Sequence, residues 1–107
     1  MTRPANRARG EAELVVAGER LRLRPSFEAL VAAEEELGPL FALVERAATG
    51  GLRVAEMAAL FWHCAEPRSE SLTRAAIGGA IAEQGLAGVT PALKRLLSQI
   101  LQGRGPV

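Results

Sequence analysis

A chain of 107 residues with a net charge of +1 has length for one hydrophobic core and not for two. One cysteine, one histidine and no aspartate or tyrosine exclude an internal disulfide, a Ser-His-Asp constellation and an aspartyl pair within one copy. No apolar run approaches the roughly 18 residues of a membrane span and no apolar stretch follows the basic start, so a soluble, cytoplasmic protein without a signal peptide is expected.

Charge segregates along the chain. Residues 1–24 hold six Arg and three Glu, residues 25–67 two Arg and seven Glu, and residues 68–107 five Lys or Arg and two Glu. Basic ends around an acidic middle suit matching to a partner, or head-to-tail contact with a second copy, better than broad phosphate binding. An unevenly charged, solvated surface has the same pattern.

Residues 1–10 carry three arginines and no apolar period, and read as a flexible basic arm. An alternation follows over residues 11–24. Glu13, Val15 and Ala17 share one face with Leu14 and Val16 on the other, and Arg20, Arg22 and Arg24 then stand opposite Leu21 and Leu23. This predicts a β-hairpin with one polar face, turning at Gly18-Glu19 in a type II′ loop that uses the glycine's positive φ. A lone hairpin is marginal in water, so its apolar face must cover helices or a partner's sheet.

Pro25 ends the hairpin, and Ser26 is placed to cap a helix. Phe27, Leu30, Val31, Glu34 and Leu37 follow helical spacing up to Gly38-Pro39. Glu34, Glu35 and Glu36 stand near that helix's C-terminus, where its dipole disfavours them, which hints at an acidic contact patch. A second helix runs from Pro39 to Gly50-Gly51, burying Leu40, Leu43, Val44 and Ala47. The third, from about Arg53 to Ala65, is expected to bury Val54, Met57, Ala58, Phe61 and Cys64 with Leu60 on its flank; Pro67 closes it.

Ser71 is the expected cap of a fourth helix with the stripe Leu72, Ala76, Ile77, Ala80 and Ile81. Gly78-Gly79 inside it costs about 1 kcal/mol per glycine relative to alanine, and predicts a close crossing by a neighbouring helix. Residues 85–90 form a connection, Thr90-Pro91 caps a fifth helix, and Leu93, Leu96, Leu97, Ile100 and Leu101 give that helix one continuous apolar face before a flexible tail at 103–107. The fold class is α+β, mainly α: a hairpin over 11–24, then about five short helices over 26–102, in one domain spanning 11–102.

Chemistry-bearing residues are few. His63 and Cys64 are adjacent on a helix and point about 100° apart, a poor geometry for shared metal ligation or a thiolate-imidazolium pair. Gly78-Gly79 lacks the Gly-Lys-Ser ending of a phosphate loop. No catalytic, cofactor-binding or metal-binding residue is assigned, and the chain is not expected to be an enzyme. Arg20, Arg22 and Arg24 favour nucleic-acid binding, but aromatic interleaving, a recognition helix and a strong positive charge are missing. The candidates for partner binding are Leu93, Leu96, Leu97, Ile100 and Leu101, as a client or oligomer face or as core, with Trp62 either an anchor or buried.

The run Asn6-Arg7-Ala8-Arg9-Gly10-Glu11, the hairpin, the step Leu23-Arg24-Pro25-Ser26-Phe27 and a Glu-rich helix ending in Leu37-Gly38 resemble the small tail proteins of gene transfer agents and related prophages. The similarity continues through Gly51-Leu52-Arg53-Val54 and Ile81-Ala82-Glu83-Gln84-Gly85-Leu86, covering about residues 6–102. Such proteins are described both as tail tube components and as tail assembly chaperones. Tube subunits that form rings are β-rich with long strands, whereas this chain offers two short strands and helices, so it looks like the chaperone. The resemblance implies a cytoplasmic factor that coats the tape-measure protein until tail tube subunits replace it, and that forms a homo-oligomer. The alternatives are a structural subunit associated with the tube and a small DNA-binding regulator.

Overall fold

The computed structural model describes residues 12–66, 70 and 72–103. The expected basic arm, Pro67, the Ser71 cap and all of the expected tail after Gly103 lie outside these residues.

The alternation becomes strands β1 (Ala12–Val16) and β2 (Glu19–Leu23), paired antiparallel from Ala12↔Leu23 to Val16↔Glu19. Ala12, Leu14, Val16, Leu21 and Leu23 are buried on one face, as period two requires. The turn differs from expectation by one residue. Val16 and Glu19 still pair, so the loop is Ala17-Gly18, and both residues have positive φ (52° and 81°), the signature of a type I′ turn. Glycine therefore takes the second central position, leaving an alanine in the left-handed region.

Ser26 caps α1 (Phe27–Leu37), its hydroxyl accepting from the Ala29 N–H at 3.2 Å. The helix ends at Gly38, as expected. Its buried face is not the expected stripe: Ala29 and Ala33 face the core, while Phe27 is 82% exposed and Val31 is exposed as well. The reason is the packing of α1 on α3 through small side chains, a face that a reading weighted by large apolar residues does not find.

Next comes α2 (Leu40–Ala48), whose buried residue is Leu43, with Leu40, Val44 and Ala47 half-buried. In α3 (Val54–Cys64), Met57, Ala59, Leu60, Phe61 and Cys64 are buried. Leu60 is thus wholly inside rather than on a flank, and Val54, the first residue of the helix, is exposed rather than core. After α3 the chain continues directly into β3 (Ala65–Glu66), a strand the sequence did not announce. It pairs antiparallel with β2 (Arg22↔Glu66, Leu23↔Ala65), and the Arg24 N–H donates to the Cys64 carbonyl at 2.7 Å. The sheet order is β1-β2-β3.

The expected fourth and fifth helices follow each other without a loop as α4 (Arg74–Gln102), two helical segments meeting at a kink at Gly85 (φ 81°, ψ 158°); counted as one element, they leave four helices among the described residues where about five were expected. Gly85 alone breaks the helical path, and the chain resumes helix at once instead of forming a loop through residue 90. Thr90 is accordingly inside the helix, its hydroxyl donating to the Leu86 carbonyl at 2.6 Å, and Pro91 is an interior residue. The cap at the start of α4 is Thr73, which accepts from the Ala76 N–H at 3.0 Å. The expected close crossing at Gly78-Gly79 is not found: a Cβ added at either would meet no described atom within 4 Å outside its own helix.

The core lies where α4 covers β1, α3 packs on β2 and α4, and α1 closes on α3. Phe61, Leu23, Leu43, Leu60, Ile77, Ile81 and Leu96 are its largest fully buried side chains.

Candidate partner-binding surface

The apolar face expected on the last helix divides when it folds. Leu96 is fully buried in the core, and Leu93, Leu97 and Ile100 are half-buried against it. Leu101 is 50% exposed. Trp62 is half-buried and packs against the core.

Ile100 and Leu101 reach the surface beside two other elements. Leu30 and Glu34 of α1, Leu40, Phe41 and Val44 of α2, and these two residues of α4 line an open, mostly apolar groove of about 290 Å³. Phe41, absent from the expected stripe of α2, is 75% exposed on its rim. A signal for it was present: an aromatic residue standing outside the Leu40, Leu43, Val44 and Ala47 stripe has no core to enter. Phe27 continues the apolar strip along α1, three residues before Leu30 and four before Val31, spacings that place it beside each of them on a helix.

The three glutamates at the end of α1 are partly structural. Glu34 Oε2 accepts the Leu40 N–H at 3.1 Å and so caps α2. Glu36 joins three helices: it accepts from the Arg74 guanidinium at 2.5 and 2.6 Å and lies 2.8 Å from His63 Nε2. The hydrogen bonds from Arg74 first, and then His63, hold its carboxyl down to about 2. A similar contact ties α2 to α3, where Glu56 meets Arg46 at 2.7 Å and accepts the Arg53 N–H at 2.9 Å, again lowering the carboxyl to about 2. Glu35 and Glu45 remain exposed.

A second cleft, of about 380 Å³, gathers Arg24, Ser26, Glu28, His63, Cys64 and Glu66. Three of its polar contacts are internal: Arg24 with Glu66 at 3.5 Å, Ser26 with the first turn of α1, and His63 with Glu36. Burial pushes the Cys64 thiol up to about 12, which makes it a poor nucleophile at neutral pH. Among the described residues no group of three or more His, Cys, Asp or Glu side chains is placed to hold a metal ion, and no helix is long and apolar enough to cross a membrane.

A family model described as phage tail tube protein, GTA-gp10, matches residues 9–103. No curated protein and no solved structure matches the chain.

Proposed function

The chain belongs to the GTA-gp10 phage tail tube protein family, and from that premise we propose that it is a tail assembly chaperone that binds the tape-measure protein while the tail is built. The observation that carries this reading is the apolar groove that joins Leu30, Phe41 and Leu101, with the exposed Phe27 one helical turn before Leu30, on a fold whose two main strands are five residues each. A subunit that builds a tube wall by sheet closure needs long strands to pass from copy to copy. A chaperone for a long helix with an apolar repeat needs a shallow apolar surface instead, wide enough to cover part of a helix face. This protein acts without catalysis, in the host cytosol, as several copies along one client, and it yields its place to tail tube subunits.

The description of the family as a tube protein supports a second reading, a structural subunit associated with the tube. Co-expression with a tape-measure protein from the same genome, followed by affinity purification and light-scattering mass analysis, separates the two. A soluble complex with many copies of this chain per tape measure is the expected result. Rings or tubes of this chain alone, with the tape measure left insoluble, would replace it with the structural reading.

A further inference from the structure

We propose that the groove between α1, α2 and the end of α4 takes one amphipathic α-helix of a partner protein, with Lys or Arg residues flanking its apolar stripe. The inference rests on the chaperone reading for the identity of the partner, a segment of the tape measure, and on the groove itself for its chemistry.

The lining is apolar but for one carboxylate, Glu34, and two more, Glu35 and Glu45, stand on the same two helices. Leu30, Leu40, Val44 and Ile100 form the floor, and Phe41 and Leu101 stand out from it far enough to pack against an incoming side chain. Glu34 belongs to the lining. Glu35 follows Val31 by one helical turn and Glu45 follows Phe41 by one turn, so two of the three large exposed apolar residues of α1 and α2 are succeeded on their own face by a carboxylate, next to the lining rather than in it. The two arginines of residues 25–67 do not offset them, since Arg46 is engaged with Glu56 and Arg53 precedes α3. Lys94 of α4, like Glu35 and Glu45, is outside the lining, two turns before Leu101, so the one charge in the lining is the Glu34 carboxylate and the nearby carboxylates outnumber the lysine two to one. A partner helix with apolar residues at three- and four-residue spacings fills such a groove, and basic residues beside its stripe meet the carboxylates at the margin. An acidic flank is repelled there. The same rule selects against a second copy's α1, which would bring glutamates to glutamates.

The test uses the full chain and two model peptides sharing one leucine stripe, one with lysine at every polar position and one with glutamate, with binding measured by calorimetry and located by backbone amide shifts. The lysine peptide is expected to bind at least about tenfold more tightly than the glutamate peptide, with shifts centred on Phe41 and Leu101. Phe41→Glu combined with Leu101→Glu abolishes that binding, whereas Val54→Glu, at an exposed apolar residue elsewhere, leaves it intact. Glu35→Lys with Glu45→Lys, a surface change that spares the fold, reverses the preference. Equal binding of both peptides, or shifts away from the groove, overturns the proposal. So does a wild-type dimer that the Phe41→Glu, Leu101→Glu variant converts to monomer, with no peptide bound. Co-purification of the tape measure with wild type and with this variant alike overturns the groove and leaves the chaperone reading standing. Peptide binding in the groove without tape-measure co-purification supports the groove and removes the chaperone reading.

Discussion

Glu36 and Arg74, on α1 and α4, meet through two guanidinium-carboxylate contacts at 2.5 and 2.6 Å and so tie the first helix to the last. The carboxyl of Glu36 is held at about 2 against an ordinary 4.5. The fold therefore favours the ionised form, and the contribution to stability is complete above about 4.5 and is lost as pH falls from there through about 2. Both side chains are more than one-third exposed, so solvent screens the pair and its worth is about 0.5–1 kcal/mol. Glu36→Gln is expected to lower stability by that amount at neutral pH and to flatten the acid limb, leaving the share due to Glu56. Urea unfolding across the acid range decides it, and parallel pH profiles for the two proteins would refute it.

Three glycines of α4 have opposite roles. Nothing described crowds a Cβ at Gly78 or Gly79, so replacing each with alanine is expected to stabilise the protein by up to about 1 kcal/mol. Gly85 has space as well, but its backbone (φ 81°, ψ 158°) lies in a region open essentially to glycine, and Gly85→Ala is expected to cost about 1–3 kcal/mol. Melting temperatures of the three single variants test both signs together.

Two phenylalanines separate in the same manner. Phe61→Ala removes a fully buried ring and is expected to cost about 3–5 kcal/mol. Phe27→Ala, at a residue 82% exposed, is expected to stay within about 0.5 kcal/mol of wild type. A large loss at Phe27 in denaturant titration would mean that its ring is covered in solution.

Cys64 is expected to resist thiol reagents in the native protein, since it is buried and its thiol is pushed up to about 12. Labelling should proceed only as fast as the protein opens, and should become immediate in denaturant. Rapid labelling at neutral pH without denaturant would contradict the placement of the thiol.

What was legible in the sequence was local. The period-two pattern located both strands, and Ser26 and Gly38 located the ends of α1, because a cap and a stop act within one turn of the chain. The turn was misplaced because Gly18 suits either central position, and only the Val16↔Glu19 pairing decides between them. The alanine face of α1 was missed because Ala29 and Ala33 are selected by how near α3 comes, a property of two helices and not of one. β3 has two residues and no period to read, and its partner Arg22 lies far back in the chain. Of the groove, Ile100 and Leu101 were named for their helical spacing; that they face Phe41 follows from the bend and packing of α4, which spacing does not encode.

The two-residue strand β3 pairs across a long stretch of chain, from residues 65–66 back to residues 22–23. β1 and β2 are joined by a two-residue turn and can find each other quickly, but β3 reaches β2 only after α1, α2 and α3 have brought residue 65 back to residue 23. Two residues cannot hold such a pairing unaided, so the third strand stays only while α3 is docked. Hairpin and helices should consequently exchange their slowest amide protons together, as one cooperative unit, with the Arg24 N–H bonded to the Cys64 carbonyl among the last to open.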